Sequence, residues 1–102
     1  MCGNPRCKPT PDSGTLAPVA SFVVEQYLPD STRDSRNHEI ERVRAARDQL
    51  GALGARHLGS LAIPADEMCM HIFEAEREAD LIVAYRRSRL PYDRIVEIEL
   101  TR

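Results

Sequence analysis

Phe22-Val23-Val24-Glu25-Gln26-Tyr27-Leu28-Pro29 is the stretch that decides the fold of this chain. Its alternation sends Phe22, Val24 and Leu28 to one face, and Val23, Glu25 and Tyr27 to the other. Pro29 has no N–H to donate and ends the ladder. A strand is therefore predicted from about Ala20 to Leu28. The polar loop behind it offers Asp30, Ser31, Asp34 and Ser35 as helix caps. A helix follows, with Ile40, Val43, Ala46 or Arg47, Leu50 and Leu53 at close to helical spacing. Glu39, Glu41, Arg42, Arg44 and Asp48 cover its outer side, and Gly54 suits a left-handed C-terminal cap.

The same logic continues to the C-terminal end. A second strand is predicted over about Arg56 to Ile63, and Pro64-Ala65-Asp66 turns the chain into a third. In that third strand Met68, Met70 and Ile72 share one face, while Cys69, His71 and Phe73 share the other. A second helix spans about Glu76 to Arg87, with Ala79, Ile82, Val83 and Tyr85 turned inward. Leu90-Pro91-Tyr92-Asp93 leads to a last strand, Arg94 to Leu100. The order βαββαβ is the split βαβ motif, a ferredoxin-like α+β fold. Right-handed crossovers then put both helices on one side of an antiparallel sheet of order 4-1-3-2.

The other side of that sheet is expected to carry Val23, Glu25 and Tyr27, Gly59 and Leu61, Cys69, His71 and Phe73, and Ile95, Glu97 and Glu99. Such a mixture is too apolar for water alone and too polar for a plain core. Two sheets facing each other across a homodimer axis, a dimeric α/β barrel, fit it best.

Composition bounds the rest. A chain of 102 residues is one small domain. With 42% hydrophobic residues but no Trp and 5% aromatics, its core is modest, and small domains of this kind gain stability by oligomerising. A net charge of −2 gives no electrostatic footprint for nucleic acid. No apolar run approaches the ~20 residues of a membrane span, and no signal-peptide core follows Met1, so the chain reads as cytoplasmic with no membrane partner. Residues 1–19, rich in Pro and Gly, are expected to be a flexible tail before a single domain over 20–102. Cys2 and Cys7 could clamp a metal or form a local disulfide, but they lack the paired spacing and the second pair of a zinc site, and the plainer reading is incidental thiols in the tail.

The opening strand and the segment Leu90-Pro91-Tyr92-Asp93-Arg94-Ile95-Val96-Glu97-Ile98 together carry a resemblance. Over about residues 21–100 the chain resembles the small nickel-ligand proteins of otherwise undefined function, in the dimeric α/β-barrel class. The first string is similar to that family's opening strand with its Glu and closing Pro; the second is similar to its Phe-Pro-x-Asp-Arg-Val-x-Glu-Val ending. Ser60 and Asp66 fall where the family tends to have Ser and Asp. The chain departs from the family at His57-Leu58-Gly59, where the second strand usually bears a Trp. The family's third-strand Cys aligns with Cys69 or Met70. The resemblance implies a ferredoxin-like homodimer and, in at least one branch, nickel binding.

Glu25 and His71 form the sharpest candidate pair, since the first and third strands are neighbours in the expected order. A carboxylate beside an imidazole can orient a general base, with Tyr27 adding a hydroxyl. Alternatively, Glu25, His71 and Cys69 can hold nickel or another divalent metal. Each has a plainer reading. His71 is then a hydrogen-bonded packing residue and Cys69 a small buried apolar one. Glu25 resists that treatment, because an unpaired buried carboxylate costs several kcal/mol. The first functional expectation is a metal- or small-ligand-binding homodimer; the alternative is a cofactor-free enzyme with a Glu/His acid–base pair. A structural or regulatory dimer without a site is the third.

Overall fold

Four antiparallel strands and three helices make up the described part of the chain, residues 19–99 of a computed structural model. The expected tail, with Cys2 and Cys7, and the end of the last strand at Leu100 lie outside the described residues. Strand β1 (Ala20–Tyr27) pairs with β3 (Met68–Ala75) on one side and with β4 (Arg94–Ile98) on the other. Strand β2 (Arg56–Ile63) pairs with the free side of β3 and forms an edge. The order β2-β3-β1-β4 has the same neighbours as 4-1-3-2 read from the opposite edge. This α+β arrangement is consistent with a ferredoxin-like fold.

Where one first helix was predicted, two stand in line: α1 (Arg33–Ala45) and α2 (Arg47–Ala52). Neither Pro nor Gly sits at the joint, Ala46, so local propensity does not account for the break. The cap is Thr32. Its hydroxyl accepts from Ser35 N at 3.1 Å while Ser35 Oγ accepts from Thr32 N at 2.8 Å, a capping box that satisfies two otherwise orphaned donors. At the other end Gly54, at φ 95°, supplies the left-handed turn its sequence position suggested. Gly54 N bonds to Gly51 O and Ala55 N to Leu50 O, which seals the helix end over the buried Leu50. Helix α3 (Glu78–Arg87) ends the same way at Arg89, whose φ of 57° is one that glycine would adopt without strain.

The core lies between the helices and one face of the sheet. Phe22 and Val24 of β1, Phe73 and Ala75 of β3, Val43, Leu50, Leu81, Ala84 and Tyr85 of the helices are all buried in it. The inward face of α3 corrects the sequence reading. Leu81, Ala84 and Tyr85 point in, whereas Ala79 and Val83 are exposed and Ile82 is half-buried. The large Tyr85 ring sets this rotation by standing edge-on to Phe73, at 5.6 Å, and to Tyr92, at 5.7 Å.

That packing leaves the Tyr85 hydroxyl buried without a hydrogen-bond partner among the described residues, and burial pushes its pKa up. A desolvated, unpaired hydroxyl costs about 1–3 kcal/mol. Tyr85→Phe is therefore expected to leave the fold intact and raise unfolding stability by about 1 kcal/mol in urea titrations. A loss of stability instead would show that the hydroxyl is satisfied. Among the described residues, no helix is long and apolar enough to cross a membrane.

Candidate functional site

Register separates Glu25 from His71 and Cys69, which the strand pattern had put on one face. Val24, not Glu25, faces His71 across the β1–β3 ladder, and Phe22 faces Phe73. Side chains directly opposite share a face. Cys69, His71 and Phe73 therefore lie on the helix side with Phe22 and Val24, and all three are buried. Ile95 and Glu97 pair with Val24 and Phe22 and belong to that side too, while Glu99 follows the end of β4. The bare face instead carries Met68, Met70 and Ile72 of β3 and Val96 and Ile98 of β4, beside Val23, Glu25 and Tyr27. Gly59 and Leu61 do belong to it, opposite Ile72 and Met70.

Glu25 finds its partner in Arg94, directly opposite on β4, with Nε 3.4 Å from Oε1. The flanking carboxylates Glu97 and Glu99 expected from sequence are not its neighbours on that face. Arg94 is largely exposed, so this pair contributes little to stability but leaves a charged, solvent-reachable spot on the sheet. Asp93 clamps the loop beside it: its Oδ2 accepts from Tyr27 N at 2.6 Å, and its own N donates to Glu25 O at 2.9 Å. The Tyr27 hydroxyl donates to Glu67 at 3.4 Å, and the other Glu67 oxygen accepts from Asp30 N at 2.8 Å. Glu25, Tyr27 and Arg94 thus converge at one end of the bare face.

His71 belongs to a different constellation. On the helix side an unbroken chain of polar contacts runs from Arg47 to Glu39. Arg47 Nη2 lies 3.2 Å from His57 Nδ1; His57 Nε2 lies 2.9 Å from Ser60 Oγ. Ser60 Oγ lies 2.7 Å from His71 Nδ1, and His71 Nε2 lies 3.3 Å from Gln26 Oε1. Gln26 Nε2 donates to Glu39 Oε1 at 2.8 Å, and Arg42 covers the same oxygen at 3.1 Å. His57, His71 and Gln26 are buried.

The two ends fix the donors and acceptors next to them. A guanidinium only donates and a carboxylate only accepts. His57 must then accept at Nδ1 and donate from Nε2 to Ser60. His71 Nε2–H donates to Gln26, and with that ring neutral Ser60 donates to its Nδ1. Burial favours the neutral form of both rings. Burial lowers the His71 pKa to about 4, with the His57 ring acting in the same direction and Glu39 opposing. Burial also lowers that of His57, helped by the positive charge of Arg47 and Arg44.

This arrangement does not bring Glu25, His71 and Cys69 together as the ligand set expected from the strand pattern. Glu25 lies across the sheet from His71 and Cys69. Both His71 nitrogens are engaged, and desolvation raises the Cys69 pKa away from the thiolate a metal requires. The Cys69 thiol instead approaches Arg36 O at 3.9 Å. Among the described residues no three His, Cys, Asp or Glu side chains gather as a ligand set. The Glu25–His71 acid–base pair is likewise not formed. Two surface concavities, one beside Ser21, Glu74 and Glu97 and one beside Gly54, Arg56 and Asp80, reach neither His71 nor Ser60.

No family model and no curated protein matches this sequence. A structural-genomics protein, YJCS, has a similar structure, with a TM-score of 0.52 at 7% identity over 82% of this chain and 100% of that one. At that identity the likeness is one of fold alone.

Sequence reasoning missed Ser60, Gln26, Glu39, Arg47 and His57 as members of one network with His71. A bulge between His57 and Gly59 is the reason. One extra residue shifts the alternation, so that Ser60 rather than Gly59 faces His71. Ser60, already notable in the resemblance, was the available signal.

Proposed function

We propose that this chain acts as a homodimer that binds a small ligand between two apposed sheets. The observation that carries this reading is the bare face. Among the described residues no element covers it, yet Val23, Leu61, Met70, Ile72, Val96 and Ile98 lie on it, half-buried or exposed. Four strands about 4.8 Å apart and roughly 20 Å long present a patch of roughly 400 Å² in projection. The side-chain relief on such a patch brings its accessible area toward the roughly 800 Å² per partner of a stable interface. A second copy offers a surface of the same shape and polarity, as a two-fold interface requires.

Apposed sheets sit about 10 Å apart, leaving room for side chains at the centre and for a ligand where they thin out. Glu25, Arg94 and the Tyr27 hydroxyl mark that end. They suit a small, largely apolar molecule carrying one hydrogen-bonding or charged group. This reading requires no metal and no Glu25–His71 pair.

Sedimentation velocity at pH 7.5 is the test. A species of twice the 11.5 kDa chain mass is expected. Met70→Lys and Val23→Lys should convert it to monomer with unchanged far-UV circular dichroism, because a lysine buried in the interface has no partner. A wild-type monomer at 100 μM, or a dimer indifferent to both substitutions, would sink the proposal.

A further inference from the structure

Resting on the homodimer reading, we infer that the molecule held between the copies is uncharged and aromatic, with a hydrogen-bond donor beside an acceptor as in a carboxamide. The Glu25–Arg94 pair makes that choice. Leu61, Met70, Glu25 and Arg94 stand opposite one another in turn and form one row across the bare face. The next row, Gly59, Ile72, Val23 and Val96, is apolar throughout. On the other side come Ile63, Met68 and Tyr27. One ionic pair is thus set between two largely apolar rows, where a second sheet excludes water from it.

The pair is balanced in charge but incomplete in hydrogen bonding. Its closest contact joins one guanidinium nitrogen, Nε, to one carboxylate oxygen, Oε1, at 3.4 Å. Among the described residues, no hydrogen bond occupies Nη1 or Nη2 of Arg94 or the second oxygen of Glu25. The neighbouring acids are already committed. Asp93 Oδ2 accepts from Tyr27 N, and Glu67 accepts from Asp30 N and from the Tyr27 hydroxyl. Once water leaves, the open donors and acceptors of the pair need partners.

A guanidinium only donates and a carboxylate only accepts, so the ligand has to supply both functions. Its acceptor meets the Nη donors of Arg94, and its donor meets Glu25 Oε2. A carboxylate ligand satisfies Arg94 but sets its own charge against Glu25. A cationic ligand satisfies Glu25 but sets its charge against Arg94. In a desolvated site both contacts are repulsive, and a neutral group avoids them. The surroundings favour a flat ring. Met68 and Met70 are flexible thioethers that pack well against aromatic edges, and Tyr27, 52% exposed, offers a ring face.

Benzamide, benzoate and benzamidine share one shape and differ in charge, so they test this choice directly. Each is titrated to about 10 mM into isotope-labelled full-length protein at pH 7.5, and amide shifts are followed by NMR. Benzamide should shift the amides of Glu25, Met70 and Arg94. Benzoate and benzamidine should bind roughly tenfold more weakly. Glu25→Gln removes the negative charge and should turn the preference to benzoate. Arg94→Gln removes the positive charge and should turn it to benzamidine. Sedimentation of each protein reports its assembly state; if Arg94→Gln dissociates the dimer, Glu25→Gln alone decides.

The outcomes separate. A dimeric wild type that responds equally to the three probes, or to none, overturns the inference and leaves the dimer standing. An unchanged preference in dimeric Glu25→Gln overturns the role of the pair. A monomeric wild type overturns the homodimer reading, and this inference falls with it.

Discussion

Acidification from pH 7.5 to pH 4 is expected to remove about 3 kcal/mol of folding stability through His71 alone. The ring is fully buried and neutral, with a folded pKa of about 4 against an ordinary 6.5. Between those values the unfolded chain holds a proton that the folded chain does not. Stability is therefore complete above about pH 6.5, falls as pH drops toward 4, and loses nothing further from this group below that. His57, shifted in the same direction, adds to the loss. Against a typical total of ~5–15 kcal/mol, the effect is large. Urea unfolding of wild type and His71→Asn at half-unit intervals from pH 4 to 8 isolates it as the difference between two curves. A difference that stays constant across that range would show that His71 does not titrate on unfolding.

Ser60→Ala is expected to cost about 2–4 kcal/mol, far more than a half-buried serine usually does. The hydroxyl is the hinge of the polar chain, accepting from His57 at 2.9 Å and donating to His71 at 2.7 Å. Its removal strands one donor and one acceptor in a desolvated layer, at about 1–3 kcal/mol each. Adding His71→Phe to Ser60→Ala should recover part of the loss, since an apolar ring no longer needs a partner. Strict additivity of the two substitutions would mean that the residues are not coupled. A cost for Ser60→Ala below about 0.5 kcal/mol would mean that water already serves the histidines, as an isolated surface serine would allow.

The two histidine predictions and the ligand reading concern opposite faces of one sheet. Glu25, Tyr27 and Arg94 stand where a ligand between two copies would meet polar groups. His57, Ser60 and His71 stand where the sheet meets its helices. The thin layer between them is β3 itself, whose alternation assigns Met70 to one side and His71 to the other.

Much of the architecture was readable from residue order. The alternation ending at Pro29, the helix signal from Val43 to Leu50, Gly54 at a helix end and the Pro64 turn each place an element using only neighbours in sequence. Tyr27, Glu25, His71 and Cys69 were also visible as unusual residues for their strands. Their grouping was not. Met68, Met70 and Ile72 and the set Cys69, His71 and Phe73 alternate equally well, and nothing within β3 says which set turns inward. On local hydrophobicity the first set looks like the core, yet the second is buried.

What the sequence by itself determined was the series of strands and helices and the requirement that Glu25 and His71 each find a partner. Tertiary structure decided the partners. Pairing Phe22 with Phe73 turns His71 inward, pairing Glu25 with Arg94 neutralises the carboxylate outward, and the bulge after His57 brings Ser60 beneath His71. The physical reason is that a strand's period of two leaves its faces interchangeable until cross-strand register breaks the tie. That register depends on residues as far apart as Gln26 and His71, which local periodicity cannot see.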